Sequence, residues 1–549
     1  MVRNQRTPNV LMVFPRFNPN SFWSLAPVCE IWGARCPAPP LGMITLAAML
    51  PPGWNVRLVN RNAEELLHSD LEWADMVMTG GMLPQQDDAR ALIDLAHSFG
   101  KPVVVGGPDA TSSPDAYASA DFLVLGEAEG VIDDFIKAWS TDAKRGVFQA
   151  PKFTADVTRT PIPRFDLLRF DDYLYVGVQF SRGCPFNCEF CDIIELYGRV
   201  PRAKTNAQML AELDALFAAG HRGHVDFVDD NLIGNKKALK RFLPELCAWQ
   251  RQHNYPFEFS TEASINLADD RDLLGMLREA NFFAIFIGIE SPDPETLIST
   301  QKKQNTRRSL ADSVHKIYAA GMFVVAGFIV GFDSEKEAVA EAMIDCIEAT
   351  SIPVAMVGLL TALPNTQLTR RLVGEGRLLP FVPGRGDQCT AGLNFVTLRP
   401  RRDVLADFRA VLASVYPPSA YFARVRHLGR VLDRPRLPSK ILWKTLAKEL
   451  RGLRRTVWTM SVVRPDLRGH FWATVIDCLR HQPRNFEHVI TMCVMYLHLG
   501  AFAQVLITDL DGQIADLDAV GALGEAGRMQ LGSRSTRVSA AAHEVGAGT

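Results

Sequence analysis

The chain has 549 residues, which is too long for one hydrophobic core and indicates about three domains. Its hydrophobic share of 47% is ordinary for a soluble globular protein, and its net charge of −2 argues against a nucleic-acid-binding protein. Ten cysteines are too sparse for a disulfide scaffold, and the first apolar run is too short for a secretory signal, so a cytoplasmic protein is expected.

Short apolar strands alternate with helix-length segments through residues 1–140. The predicted strands lie at residues 10–14, 55–60, 75–81, 102–107 and 121–127. Strands that read as continuous apolar runs between helices favour a parallel sheet with helices on both faces. Residues 1–140 are therefore predicted to form a Rossmann-like domain.

Small residues gather at the carboxyl ends of three of these strands. The first end carries Thr79, Gly80 and Gly81, the second Gly106 and Gly107, and the third Gly126 and Glu127. Ligands of open α/β sheets bind at this edge, and glycine lets the backbone approach a ligand closely. Tight turns also need glycine, so it is the recurrence at three strand ends that predicts a binding face. No GxGxxG run follows the first strand, which disfavours a nicotinamide or flavin dinucleotide.

The segment after this domain, residues 141–172, carries Pro151, Pro161 and Pro163 and is predicted to be a linker. Strand–helix alternation resumes in residues 173–375, where six strand-and-helix units predict a partial (β/α)6 barrel. One of its helices is predicted to begin after Thr205, which acts as the N-cap. Active-site residues are expected at the carboxyl ends of the barrel strands.

Three cysteines, Cys184, Cys188 and Cys191, follow the first barrel strand with CxxxCxxC spacing. Three thiolates can hold three irons of a [4Fe–4S] cluster and leave the fourth iron free to bind a small molecule. A structural zinc site is the alternative, but zinc takes four ligands, usually in two closely spaced pairs. No second pair follows, and the nearest later cysteine is Cys247. The motif therefore predicts a cluster with one open iron.

Polar or small residues end three further barrel strands. They are Asp229, Asp230 and Asn231 on the second strand, Ser260 and Glu262 on the third, and Gly288 and Glu290 on the fourth. A buried strand end has no structural need for polar side chains, although Asp230 and Asn231 could each cap the next helix. Repetition on three strands predicts a ligand-binding rim at the mouth of the barrel.

The chain changes character after residue 375. Residues 376–508 are predicted to form a mainly helical domain, and residues 509–549, rich in Ala, Gly and Ser, a disordered tail. Residues 421–480 contain fourteen Lys and Arg and four acids, a local charge of +10. Such a segment can steer an anionic substrate, lie on an anionic membrane, or be a solvated helix surface. The apolar residues 489–507 are predicted to be a buried or amphipathic helix rather than a membrane span, because they include His498 and Gln504.

The cysteine loop, with Phe190 before its third cysteine and the strand VGVQF in front, resembles the radical S-adenosylmethionine (SAM) superfamily. The Rossmann-like domain resembles the cobalamin-binding domain of B12-dependent members. The resemblance implies three cofactors: a [4Fe–4S] cluster, SAM and cobalamin as methylcobalamin. It also implies that an electron from the cluster cleaves SAM to a 5′-deoxyadenosyl radical, which removes hydrogen from unactivated carbon. No DxHxxG signature follows the first strand, so the resemblance implies cobalt without a histidine on its lower face.

The resemblance also implies roles for the predicted rim of the barrel. The three residues of the second strand occupy the place of groups that bind the amino end of SAM. Those of the third strand occupy the position that meets the ribose or the methionine carboxylate. The pair on the fourth strand belongs to a GIES run that is seen often in this family.

The order of domains is similar to a group that includes hopanoid C-2 methylases and bacteriochlorophyll side-chain methylases. It implies a methyltransferase that acts on an unactivated carbon of a hydrophobic, lipid-like or tetrapyrrole-like small molecule. A reductant such as flavodoxin or ferredoxin is the expected partner, no nucleic acid is expected, and a peripheral contact with the inner face of the membrane stays open. Two alternatives remain: a cobalamin-containing radical SAM cyclase or rearrangement enzyme without methyl transfer, and a non-catalytic metal or cobalamin carrier.

Overall fold

The computed structural model describes residues 7–380, 388–435 and 443–523. In this part, the chain forms an N-terminal parallel sheet flanked by helices, a half-open barrel and a C-terminal group of helices. This is the α/β architecture that the sequence predicts, followed by the predicted helical region.

The N-terminal sheet has six parallel strands in the order β2-β1-β3-β4-β5-β6. The strands are β1 (Asn9–Phe14), β2 (Asn55–Asn60), β3 (Met76–Gly80), β4 (Val103–Gly106), β5 (Phe122–Leu125) and β6 (Gly146–Gln149). The helices are α1 (Ala26–Trp32), α2 (Leu41–Met49), α3 (His68–Trp73), α4 (Gln86–Ser98), α5 (Gly107–Ser112) and α6 (Ile132–Ser140). Because successive side chains of a strand point to opposite faces, Val10 and Met12 pack in one apolar core and Leu11 and Val13 in the other.

Strand β6 corrects the prediction that residues 141–172 are only a linker. It pairs in parallel with β5 at the edge of the sheet. Its residues alternate between partly buried and exposed, so Val147 and Gln149 face solvent. An edge strand of this kind has no continuous apolar run, which is why the sequence pattern missed it.

The barrel sheet also has six parallel strands, in the order β7-β10-β11-β12-β13-β14. They are β7 (Val176–Val178), β10 (Gly223–Phe227), β11 (Phe257–Glu262), β12 (Phe282–Glu290), β13 (Phe323–Val330) and β14 (Ala355–Leu359), and the short strands β8 (Ser181–Arg182) and β9 (Arg202–Ala203) form an antiparallel hairpin. The helices are α7 (Ile193–Leu196), α8 (Asn206–Ala218), α9 (Lys236–Gln252), α10 (Arg271–Glu279), α11 (Pro294–Ser299), α12 (Leu310–Ala319), α13 (Val339–Thr350) and α14 (Gln367–Gly374). The predicted partial barrel is confirmed.

Helix α8 shows how local chemistry sets a boundary. The Thr205 hydroxyl accepts a hydrogen bond from the backbone N–H of Gln208 at 3.2 Å, and the Gln208 side chain accepts one from the Thr205 N–H at 2.9 Å. This reciprocal capping box starts the helix at the residue that the sequence predicts.

The C-terminal helices are α15 (Gln388–Ala391), α16 (Arg401–Val415), α17 (Pro418–Val431), α18 (Trp443–Trp458), α19 (Arg468–His481) and α20 (Phe486–Leu523), with a π turn at Thr459–Val463. Helix α20 packs on α1, α16, α17 and α19. In the described part of the chain it is the one helix with the length and composition to cross a membrane, and 61% of its most apolar window is buried. We therefore read α20 as a core helix.

The end of α20 corrects the predicted tail. Residues 509–523 continue the helix, and Leu510 is buried against neighbouring helices. Arg409 and Arg402 of α16 pair with Asp511 and Asp518 of α20. These contacts hold residues 509–523 in the helix, although their composition alone suggested disorder. The rest of the predicted tail, residues 524–549, lies outside the described residues.

Candidate functional site

A cavity of about 1480 Å³ lies between the carboxyl edge of the N-terminal sheet, the inside of the barrel and helices α18 and α20. All the residues predicted at the sheet edge line it: Thr79, Gly80, Gly81, Gly106, Gly107, Gly126 and Glu127. Ser260 and Glu262 of the predicted rim line it too, whereas Asp229, Asp230, Asn231, Gly288 and Glu290 are outside its wall. The structure thus brings both predicted regions to one space, but only part of the rim faces it.

The sheet edge presents bare backbone to this cavity. A Cβ atom at Gly80 would lie 2.4 Å from the carbonyl oxygen of Gly106, so these neighbouring strand ends have no room for side chains. Gly107 has a φ of +90°, which other residues rarely adopt. Met78 and Val104 flank the glycines and also line the cavity. The edge is therefore an open, mainly apolar surface.

Neither histidine of the first 150 residues is placed at this edge. His97 Nε2 lies 2.8 Å from Asp121 Oδ2, and the His68 ring packs on Phe99. Neither residue lines the cavity. Within residues 7–150, no histidine is thus available to ligate a metal from beneath this edge.

The residues that follow β10 hold the cysteine loop. Asp229 is fully buried, and its carboxylate accepts hydrogen bonds from two successive backbone N–H groups and a hydroxyl of the loop. Asp230 accepts one from the N–H of Gly183 at 2.8 Å. Burial raises the pKa of Asp229 to about 7 and that of Asp230 to about 6, and the hydrogen bonds only partly offset it. Both carboxylates fix the backbone immediately before Cys184.

Two amide side chains point at cysteine sulfurs. Asn231 Nδ2 lies 3.7 Å from Cys184 Sγ, and Gln304 Nε2 lies 3.7 Å from Cys188 Sγ. Burial raises the pKa of the Cys184 and Cys191 thiols, whereas N–H donors favour the thiolate form that binds iron. The oxygen Oε1 of Gln304 is buried and has no hydrogen-bond partner. Sequence reasoning missed Gln304, since it lies 116 residues from its cysteine.

The arrangement of donors around the cysteine loop bears on the choice between a cluster and a zinc ion. Within the residues that the structure describes, no three His, Cys, Asp or Glu side chains converge to hold a single ion. A cubane cluster does not require such convergence, because each thiolate binds a different iron. The donor set of three thiols therefore fits a cluster.

Lys302 lies beside the cysteine loop and is a second residue that sequence reasoning missed. Its Nζ donates to Glu290 Oε1 at 2.6 Å. Burial lowers the pKa of Lys302, but Glu290 and the Cys188 thiol raise it by more. A Cβ atom at Gly288 would lie 2.2 Å from Glu290 Oε1, so Gly288 makes room for the ion pair. The two residues predicted on the fourth strand thus place a cation against the loop.

Ser260 lies level with Asp226, three residues before Asp229, and so deeper in the barrel than the strand ends. Its hydroxyl donates to the Asp226 carboxylate and lies 2.6 Å from His224 Nε2. Burial lowers the pKa of His224 to about 3 and raises that of Asp226 to about 6. Glu262 faces the cavity, and desolvation by the surrounding protein together with repulsion from neighbouring carboxylates raises its pKa. These groups form a polar patch on an otherwise apolar wall.

Buried ion pairs join the sheet edge to the hairpin beside the cysteine loop. Arg182 of β8 pairs with Glu127 at 3.2 Å and with Glu129 at 2.8 Å, and Arg202 of β9 pairs with Glu127 at 2.8 Å. All four side chains are mostly buried. Glu127, predicted as a ligand-binding residue, thus also bridges the two domains.

Three families match the chain. They are a B12 binding domain over residues 34–136, the radical SAM superfamily over residues 178–347, and a domain of unknown function over residues 366–511. The chain is 44% identical to an uncharacterized methyltransferase of Synechocystis sp., over 92% of this chain and 94% of that protein. It is 34% identical to the hopanoid C-2 methylase of Rhodopseudomonas palustris, over 91% of this chain and 94% of that protein. The chain belongs to the cobalamin-dependent radical SAM enzymes.

The fold agrees with that of a solved family member. The cobalamin-dependent SAM radical enzyme OxsB superimposes with a TM-score of 0.58 at 16% identity, covering 93% of this chain and 81% of that chain. As a cobalamin-dependent radical SAM enzyme, the protein uses a [4Fe–4S] cluster, SAM and cobalamin. The carrier alternative is therefore excluded.

The residues of this chain fit those cofactors. Three thiols share one loop, two amide groups from other parts of the chain approach them, and one buried amide oxygen, Oε1 of Gln304, has no protein partner. The glycine edge is bare where a large flat ligand would need close approach. The glycine edge, Ser260 and Glu262 line the cavity, and Arg182 and Tyr197, on either side of the cysteines in the chain, line it too.

Proposed function

We propose that the protein transfers a methyl group to an unactivated carbon of a hydrophobic small molecule, lipid-like or tetrapyrrole-like. The cavity carries this proposal, because it extends from the glycine edge into the barrel and on to the C-terminal helices. Its far wall is mainly apolar, with Leu446 and Leu453 of α18 and Ile490 and Met495 of α20, and it also carries the charged residues Lys448, Glu449 and Glu487. A relative named a hopanoid C-2 methylase covers nearly the whole chain, which supports a substrate of this class.

We assign the cluster to Cys184, Cys188 and Cys191 and cobalamin to the glycine edge. We assign SAM to the barrel mouth beside the cysteine loop, at the Asp229–Asn231 run, Gly288, Glu290 and Glu262, with Ser260 deeper in the barrel. When bound, these groups supply hydrogen abstraction from carbon and a transferable methyl group.

The chain itself positions the cofactors and keeps water out. Asp229 and Asp230 hold the loop backbone, and Lys302 places a positive charge beside the thiols. The apolar wall of α18 and α20 shields the reacting centre, where a carbon radical would otherwise react with solvent species. His224 stays neutral at physiological pH, so the polar patch offers hydrogen bonds without a positive charge.

We further infer that the enzyme acts in the cytoplasm, where a reductant such as flavodoxin or ferredoxin is its electron-supplying partner. Its contact with a membrane would be peripheral, because α20 packs among other helices instead of standing free.

The test uses protein that has been purified and reconstituted without oxygen, supplied with methyl-labelled SAM, a reductant and apolar cell extracts. We expect one labelled methyl group in an apolar product. Cys184→Ala should lose iron and product, whereas Cys247→Ala, at a buried cysteine outside the loop, should keep both. Cleavage of SAM without label in any other product would favour the cyclase or rearrangement alternative.

A further inference from the structure

Large apolar side chains are exposed where α18 turns into α19. Trp458, Val462, Val463 and Trp472 expose between 40% and 61% of their surface. The π turn directs the two valines outward, and Trp472 Nε1 donates to the Ser461 hydroxyl at 3.0 Å, which holds the indole against the turn. Isolated exposed apolar residues are ordinary, but a cluster of this size marks a contact surface.

Helix α19 extends this cluster along one face. Trp472, Ile476 and Leu479 are exposed at a spacing of four and three residues. The opposite face, with Phe471 and Cys478, is buried, and the helix packs on α17 and α20. We call the six residues Trp458, Val462, Val463, Trp472, Ile476 and Leu479 the docking surface.

Positive charges without acidic partners border the docking surface. Within the described residues, no acidic side chain pairs with Arg454 of α18 or with Arg480 of α19, and both are exposed. The acids of the same basic segment are otherwise engaged. Asp433 pairs with Arg278, Asp466 with Arg464 and Asp477 with Arg430, and Glu449 lines the cavity. The surface is therefore apolar at its centre and positive at its edge.

The cavity meets this region at Leu450. Leu450 lines the cavity and is 56% exposed, and it lies one turn before Arg454 and two turns before Trp458 on the same helix. Helix α18 thus lines the cavity with its first half and carries part of the exposed region at its C-terminal end.

We propose that the docking surface seats the enzyme on an anionic lipid membrane. Tryptophans at a turn suit the boundary between headgroups and acyl chains, and unpaired arginines suit anionic headgroups. A second copy of the chain fits poorly, because a two-fold contact would set the unpaired arginines of one copy near those of the other. Membrane binding by the docking surface is inferred from its own residues and does not depend on the proposed function. The role of this surface in passing substrate along α18 into the cavity rests on the proposed function.

The experiment measures co-sedimentation of the full-length reconstituted enzyme with vesicles of phosphatidylglycerol and phosphatidylcholine, and with vesicles of phosphatidylcholine alone. We expect binding to the anionic vesicles that weakens as salt is raised. Arg454→Gln with Arg480→Gln should weaken binding by about tenfold or more, since each cation near an anionic surface contributes roughly a fivefold factor. Trp458→Ser with Val462→Ser and Val463→Ser should weaken it similarly.

Val147→Ser with Leu398→Ser, at equally exposed apolar positions elsewhere, is the matched control and should bind as the wild type does. Circular dichroism and the absorbance of the cluster report folding, and SAM cleavage without vesicles reports the chemistry separately. Equal binding by the arginine variant and the wild type, or no binding by the wild type, would overturn the proposal. So would a wild-type dimer, seen by light scattering, that these substitutions dissociate while vesicle binding is absent.

Discussion

His488 is buried beside the rings of Phe283 and Phe323, and burial together with nearby Arg434 lowers its pKa from 6.5 to about 3. The folded state therefore binds fewer protons than the unfolded state below pH 6.5. Stability that is present above pH 6.5 is lost as the pH falls. His488→Phe keeps a ring in the same place and removes this titration.

At pH 5 we expect the wild type to have lost about 2 kcal/mol of unfolding free energy that His488→Phe retains. The measurement compares thermal midpoints at pH 7 and pH 5 for both proteins. His481→Phe, at an exposed histidine, should leave the acid loss of the wild type unchanged. Identical acid losses in the wild type and His488→Phe would contradict the assignment of the effect to burial.

At this same scale, the sequence predicted the residues that carry a local signature and missed those that do not. The three cysteines and the strand-end glycines belong to short, contiguous patterns that indicate their chemistry without knowledge of the fold. Gln304 and Lys302 act on the cysteine loop from far along the chain, and only the closing of the barrel brings them there. Whether each predicted rim residue touches SAM stays a prediction.

Among the elements, the hairpin β8–β9 fixes the cysteine loop relative to the end of β5. Arg182→Met would leave Glu129 buried without its cation, and breaking such a pair costs about 3–5 kcal/mol. We expect methyl transfer to fall by about 100-fold, because misplacing bound reactants by about 1 Å has that effect. SAM cleavage should fall less, so the ratio of 5′-deoxyadenosine to methylated product should rise.

The control for this experiment is Arg164→Met, which breaks an exposed pair with Asp166 far from the cysteine loop. An exposed pair contributes little, so both products should stay near wild-type amounts. If Arg182→Met lowered cleavage and transfer in equal proportion, the hairpin would hold the loop without setting the distance between the two domains.

Elements with a clear hydrophobic sequence pattern were predicted, and elements that depend on tertiary contacts for their formation were not. Strand β12 is the predicted fourth barrel strand, and it was predicted because an almost fully buried strand is one continuous apolar run. Strand β6 was missed, because it lies at the edge of the sheet and its residues alternate between partly buried and exposed instead of forming an apolar run. The last turns of α20 were missed because ion pairs to α16 hold a polar segment that no local pattern marks as ordered.

On the scale of the whole molecule, three regions enclose one cavity, and each lines a different part of it. The N-terminal sheet provides a backbone edge, the barrel a polar patch, and the C-terminal helices a mainly apolar wall. His498 of α20 links the far ends of the chain, since its ring lies 2.9 Å from the carbonyl oxygen of Phe22. Because different elements build the proposed cofactor sites and the proposed substrate wall, substitutions can alter them separately.

Met495 of α20 lines the cavity on the side away from the cysteine loop, so Met495→Trp should fill space reserved for substrate. Inserting bulk into a packed or occupied site costs about 1–3 kcal/mol, which corresponds to roughly a 5-fold to 150-fold loss in kcat/KM for methyl transfer. SAM cleavage in the absence of substrate and iron content should remain as in the wild type. Val505→Trp, on the exposed side of the same helix, is the control and should alter neither activity. Loss of SAM cleavage in Met495→Trp, with Val505→Trp intact, would show that α20 supports the cofactors and not the substrate.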